Sequence, residues 1–339
     1  MITIEHNQRR SRDEYSRYAR TTSANQASSK VKLMKITVSA ILLILIAGCT
    51  NSKLIVAPLY NRLDDQMRGE FHKLAKWNEE QIAHFEIRVG TFHVWHRQEE
   101  LPKYAALLDS IQSTIRVRDK TTRADVNNWI DTAELFSQSA RTCHPVNFSF
   151  DLMQTLTDAQ VDFIERRFAS ERKKNFNKYL ADTPEQRREK RVDNVVKWAG
   201  RIGFDFNTTQ KRMLDKTMSE QISLRRQYYK QVDKWARDLF IIARRQEATD
   251  YSQRMEKQIN KLWTLLEKAH NEEWQANRRL WRGFGYDFVR SLSHDQRLYA
   301  SNWIDKMADT ISGIARDRPS FNVQNNAKFG CMVGRSVNG

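Results

Sequence analysis

The chain has 339 residues, with 57 Lys and Arg against 41 Asp and Glu and a formal net charge of +16. That balance favours anionic partners without choosing among them. Its one strongly apolar stretch, residues 36–46, falls well short of the roughly 20 residues a spanning helix needs, so it cannot cross a membrane and stay there.

Lys30, Lys32 and Lys35 precede this stretch, and Ile46-Ala47-Gly48-Cys49 closes it. A basic segment, a short apolar run and small residues make a secretory signal. The closing four residues resemble the lipobox of bacterial lipoproteins. The resemblance implies cleavage between Gly48 and Cys49, with covalent diacylglycerol and an N-acyl chain on the Cys49 sulfur and amine. No other cofactor is expected. In such lipoproteins Asp after the lipidated cysteine favours inner-membrane retention. Thr50 stands there, so the resemblance implies an outer-membrane anchor facing the periplasm. Gln8 to Lys30 is long and polar for a signal's basic segment, and Met34-Lys35 would open a compact one, so translation is expected to begin near Met34. Secretion counts against nucleic acid. The expected partners are the membrane, through the lipid, and an anionic envelope polymer or a protein.

Without residues 1–48 the chain is still basic and long enough for one large domain or two small ones. Residues 49–63 are expected to form a linker, 64–315 an all-helical periplasmic domain and 316–339 a disordered tail. Cys143 and Cys331 remain after lipidation; an oxidising periplasm permits a disulfide between them, and geometry decides it.

The reason for all-α is the scarcity of breakers. Only 5 Pro and 11 Gly occur, none of them between Phe204 and Arg282. Apolar residues recur at helical spacing in Phe71, Leu74, Ile82, Phe85, Val89 and Phe92, in Val161, Ile164, Phe168 and Tyr179, and in Leu214, Met218, Ile222, Val232, Trp235, Leu239 and Ile242. Thr157, Thr183, Asn207, Asp250 and Ser293 each have Gln three residues on, the pattern of a side-chain cap closed by a reaching glutamine. These starts predict helices over 64–96, 102–118, 123–142, 158–181, 184–199, 208–248, 251–282 and 294–313. The predicted fold is antiparallel helical hairpins in an elongated bundle, with a long helical pair in the C-terminal half.

Three places hold candidate functional residues. His93 and His96 lie three apart and Glu100 four further on, so one helical face could present two imidazoles and a carboxylate to a metal. The competing reading is a structural corner before Pro102, with Trp95 buried and His96 or Arg97 capping carbonyls; it is preferred, and no metal is assigned. Trp95, His96, Arg97, Glu100 and Tyr104 stay as candidate binding residues. Trp263, Trp274 and Trp281 fall on a helical seam, read as core in preference to a stacking surface. Arg166, Arg167, Arg172, Lys173 and Lys174 open a basic run through Arg191. Interleaved carboxylates suggest a solvated face with local i,i+4 pairs; an anion-binding face is the functional alternative.

The lipobox, Tyr60-Asn61-Arg62-Leu63-Asp64, Trp95-His96-Arg97 and Glu100-Leu101-Pro102-Lys103-Tyr104-Ala105 together resemble a family of proteobacterial lipoproteins. That family is known only as a domain of unknown function, so it transfers no site residues. Leu156-Thr157-Asp158-Ala159-Gln160 resembles the LTxxQ signature of Spy-type periplasmic chaperones. This second resemblance implies a small helical protein with a basic surface that cradles unfolded clients. No nucleophile elbow, P-loop, dinucleotide fingerprint or zinc-protease motif is present. The expectation is a non-catalytic binding lipoprotein, with a Spy-like holdase second and an unrecognised envelope enzyme third.

Overall fold

The computed structural model describes residues 52–117, 120–143 and 150–317. The leader 1–48, Cys49, Thr50, Cys331 and the tail beyond Asp317 lie outside the described residues.

Every regular element among the described residues is helical. In chain order they are α1 (Ser52–Asn61), α2 (Leu63–His72), α3 (Glu79–Trp95), a π turn (His96–Glu100), α4 (Leu101–Ile115), α5 (Arg123–Thr142), α6 (Phe150–Gln154), α7 (Asp158–Leu180) and α8 (Pro184–Arg201). Then come α9 (Thr208–Glu220), α10 (Arg225–Ala243), α11 (Tyr251–Lys261), a 3-10 turn (Leu262–Thr264), α12 (Leu265–Ala269), α13 (Asn271–Arg290) and α14 (His294–Arg316). The expected linker is therefore helical from Ser52. Val56 and Tyr60 on α1 are buried against α14, so this segment belongs to the domain.

Local chemistry sets most helix starts. Capping boxes form at Thr157, Thr183, Asn207 and Ser293 as the sequence predicts. Two more form at Asn78 and Thr122, closed by Gln81 and Asp125. The box expected at Asp250 does not form: with φ −98° and ψ 11° the residue is not extended, its side chain makes no cap bond, and it pairs instead with Arg254 at 3.7 Å. α8 ends on Gly203 at φ 79°, where Gly203 N–H bonds Gly200 O and Phe204 N–H bonds Ala199 O. This left-handed stop suits glycine, and a Cβ there would also meet the Tyr299 hydroxyl.

Three of the expected helices are divided. The 64–96 stripe breaks between His72 and Glu79, where Trp77 stacks on Phe71 and donates to its carbonyl at 2.8 Å. The 208–248 helix breaks at 221–224, where the Asn277 side chain accepts from Ile222 N–H and donates to Ile222 O, both at 2.9 Å. A side-chain amide from a distant helix thus replaces the intrahelical bonds. The 251–282 helix is divided at the 3-10 turn and again at His270.

Among the described residues, three apolar cores hold the helices. One joins α1, α4 and α14 through Tyr60, Leu101, Leu108, Met307, Ile311 and Ile314. A second joins α7, α10 and α11 through Val161, Val232, Trp235, Phe240, Met255 and Ile259. The third stacks Phe71, Phe85 and Val89 with Leu152. The tryptophan seam is not core in the same sense: Trp263, Trp274 and Trp281 are all half-buried, and no residue of α13 is fully buried.

Candidate functional site

The first candidate is the π turn. Pro102 has no N–H to give the Gln98 carbonyl, so an unbroken α-helix through it would be defective. The chain answers with a wider turn, in which Leu101 N–H bonds His96 O, five residues back. The widened turn rotates His96, Arg97 and Glu100 inward, where all three are buried. Trp95, expected to be the buried member, is only half-buried.

This turn draws together the two motif segments Tyr60–Asp64 and Trp95–Ala105. His96 Nδ1 and Tyr60 Oη share a hydrogen bond at 3.0 Å, and His96 Nε2 lies 3.5 Å from Tyr104 Oη. Arg97 donates to Ile314 O at 2.9 Å, Asp317 O at 3.2 Å and Asn61 Oδ1 at 2.6 Å, and its guanidinium lies over the Tyr60 ring. One guanidinium therefore caps the carbonyl end of α14 and ties it to α1 and the π turn. Glu100 accepts from Lys103 at 2.7 Å.

Burial decides the electrostatics. Without water, the His96 imidazolium is disfavoured, and its pKa is pushed down to about 3, with His93 and Arg97 adding to the effect. His93 is lowered for the same first reason. Burial raises the Tyr60 and Tyr104 phenols far above their ordinary value. These groups stay neutral near pH 7 and act as hydrogen-bonding furniture. Both His96 nitrogens already face tyrosine hydroxyls, and among the described residues no cluster of three His, Cys, Asp or Glu is placed to hold a metal.

The second candidate is the basic run, which the structure divides. Arg172 bonds Tyr229 O at 2.8 Å and pairs with Asp233 on α10. Arg187 caps the end of α7 through Tyr179 O and Asp182 O. Arg188 pairs with Asp215 on α9 at 3.0 Å, and Lys190 with Asp182. The expected i,i+4 pairs are absent within this run, because the arginines reach neighbouring helices and helix ends. Arg166, Arg167, Lys173, Lys174 and Lys178 make no ion pair among the described residues. On α7 from Phe163 to Lys178, the exposed positions are Phe163, Arg166, Ala169, Ser170, Lys173, Lys174, Asn177 and Lys178. None is a carboxylate. Two acidic residues of α7 are already paired: Asp162 and Glu165 both accept from Arg244 at 2.6 Å.

A family profile matches residues 73–268, more than half of the chain. The chain belongs to DUF6279, a family of unknown function. The match begins just before α3 and ends within α12, so it contains the π turn and all of α7 but neither Tyr60 nor α14. No curated protein and no solved structure matches the chain.

The inward partners Tyr60 and Asn61 carry no chemistry that spacing alone would mark. Their signal was the resemblance of Tyr60-Asn61-Arg62-Leu63-Asp64 to a segment of the lipoprotein family. Cys143, at the end of α5, is fully buried and disulfide-bonded, its partner outside the described residues.

Proposed function

We propose that this DUF6279 protein is a lipid-anchored envelope protein that binds an anionic envelope component, without catalysis, through the outer face of α7. The observation that carries the reading is the exposed run of Arg166, Lys173, Lys174 and Lys178, none of which makes an ion pair among the described residues, while nearby Asp162 and Glu165 are taken up by Arg244. Unpaired cations on a folded surface raise the local concentration of anions and speed their encounter. The polar cluster at the π turn supports the non-catalytic part, since His96, Arg97 and Glu100 are enclosed and cannot meet a substrate. The lipobox supports the anchor and outer-membrane placement, and the oxidised Cys143 is in keeping with an oxidising compartment.

Sedimentation with vesicles tests the reading. Binding is expected to vesicles containing lipopolysaccharide or phosphatidylglycerol, weakening steeply with salt, and little to phosphatidylcholine alone. Binding that ignores both headgroup charge and salt would defeat it. A Spy-like holdase remains the second reading. It is favoured by one observation: α7 and α14 open on similar sequences, Leu156-Thr157-x-x-Gln160 and Leu292-Ser293-x-x-Gln296. Near-stoichiometric suppression of aggregation across several unrelated clients would move it ahead.

A further inference from the structure

The glutamines that close the capping boxes do more than cap. Gln81 and Gln160 hydrogen-bond each other reciprocally, Nε2 of each to Oε1 of the other, at 3.1 and 2.8 Å. Gln81 Nε2 also reaches Thr155 O and Oγ1, and Gln160 Nε2 reaches Lys76 O. Gln210 and Gln296 form the same reciprocal pair, both bonds at 2.9 Å. Gln210 Nε2 reaches Ser291 O and Oγ, and Gln296 Nε2 reaches Asp205 O. In each pair, both outside acceptors lie five residues before the partner glutamine. The hydroxyl of Thr155 donates to Leu152 O and that of Ser291 to Phe288 O, each three residues back. A carboxamide suits this pairing because it offers a donor and an acceptor side by side, whereas two carboxylates would repel.

The likeness extends from the clasps to the packing. With Gln81 set on Gln210 and Gln160 on Gln296, α2 to α7 fall in order on α8, α9, α10, α11, α13 and α14. The buried face Gln81, Phe85, Val89 falls on Gln210, Leu214, Met218. Contacts repeat in the same order: α2 on α3 as α8 on α9, α3 on α6 as α9 on α13, α4 on α5 as α10 on α11. Two further correspondences cross between the halves. α7 packs on α10 while α14 packs on α4, and α5 packs on α13 while α11 packs on α6.

We infer that the chain is two copies of one six-helix unit, α2–α7 and α8–α14, interlocked because each copy lays its last helix against the third helix of the other. At the Gln81–Gln210 offset α5 falls on 252–271, so α11, the 3-10 turn and α12 together take its place. The π turn falls on 225–229, the first turn of α10, directly after the break at 221–224. Two independent observations carry this, the clasp chemistry and the crossed packing. A chance recurrence of capping boxes would give neither the five-residue offsets nor the exchange.

The two clasps should therefore be interchangeable. In the full-length chain, D205K, F206W, T208E, T209E, S291T, S293T, H294D and D295A rebuild the second clasp with the first one's residues. This variant is expected to melt within a few degrees of the parent and to retain slow exchange of the Gln210 and Gln296 amides. Gln210→Leu, a single change that removes the pairing groups, is expected to melt well below it. Transplant melting as low as Gln210→Leu would overturn the equivalence. For the interlock, a protease site inserted at the exposed Ala181–Thr183 turn separates the copies covalently. The nicked protein should elute at the parent's volume under native conditions. Elution as two helical fragments would overturn it, whatever the transplant shows.

Discussion

α7 and α14 occupy the same place in the two halves, and they are put to different uses. Both begin on a leucine and a hydroxyl-capped Gln box, and each packs on the other half's third helix. Along α14 the face that meets α4 carries Met307, Ala308, Ile311 and Ile314, all buried. The same positions of α7 carry Glu171, Arg172, Asn175 and Lys178, none of them buried. The fold therefore needs a capped helix in both places, but the apolar contacts of α7 with α10 come from Val161, Ile164 and Phe168 nearer its start, not from these positions. Arg172 ties this part of α7 to α10 through Tyr229 O and Asp233, whereas the exposed Arg166, Lys173, Lys174 and Lys178 make no ion pair among the described residues and call for an explanation outside stability.

The sharpest test of this contrast is a matched pair. Ile314→Ala removes a buried branched side chain from the first core and is expected to cost about 2–5 kcal/mol. Lys178→Ala, at the equivalent place on α7, should stay within about 0.5 kcal/mol. Chemical denaturation of both variants measures the difference, and comparable losses would mean that the α7 face is buried in a way its exposure does not reveal.

Arg97 comes next, because it holds the far end of α14. Arg97→Met keeps the packing volume but leaves Ile314 O, Asp317 O and Asn61 Oδ1 without their donor. The expected loss is about 3 kcal/mol, the range for buried acceptors left unpaired. Amide exchange should locate it at the C-terminal turn of α14. A loss spread evenly over the chain would argue against Arg97 as the tie between α1, the π turn and α14.

Between neutrality and about pH 5 a smaller effect should appear. Folded His96 has a pKa of about 3, against an ordinary value of 6.5. Between those values the unfolded chain takes up a proton that the folded chain refuses. Stability is then fully present above about pH 6.5 and falls on acidification, by roughly 1.4 kcal/mol for each pH unit. His93 is lowered in the same direction and adds to the slope. His96→Asn should flatten the decline between neutrality and about pH 5. An unchanged slope in that variant would show that other groups govern acid sensitivity.

These contrasts track how far each feature could be read from sequence. The boxes at Thr157, Thr183, Asn207 and Ser293 were legible because a cap and its glutamine lie three residues apart. Asp250 has the same letters and fails, since a cap also needs an extended backbone that its neighbours do not impose. The break at 221–224 was invisible, because its cause is Asn277, 55 residues away. Pro102 marked the place where α3 cannot continue unchanged, but not that a π turn would absorb the defect and bury His96 and Arg97. The glutamine clasps were half legible. Each box showed a glutamine, and only folding brings Gln81 to Gln160 and Gln210 to Gln296. The seam Trp263, Trp274 and Trp281 kept neither its continuity nor its burial: the 3-10 turn and the break at His270 separate Trp263 from the other two, and all three stay half-buried.

The smallest stability effect should accompany the largest functional one. Setting Gln160 on Gln296 places Arg166 on Asn302 and Lys173 on Asp309, exposed residues of α14. The double substitution Arg166→Asn and Lys173→Asp therefore gives α7 residues that the same kind of helix already carries elsewhere in the molecule. Neither cation pairs with another described residue, and both lie at the surface, so the melting temperature should barely move and stability should change by no more than about 0.5 kcal/mol. Net charge falls by three, all of it from one face. If that face meets an anionic envelope component, association with lipopolysaccharide- or phosphatidylglycerol-containing vesicles should drop severalfold, and its salt dependence should become shallower. A control with the same charge change elsewhere, Lys211→Asn and Lys216→Asp on α9, separates a located surface from a general attraction of the basic chain. Equal losses in both variants would leave only the net charge. Loss confined to the α7 variant would assign the cations of this helix to binding, since its counterpart α14 shows that the fold does not require them.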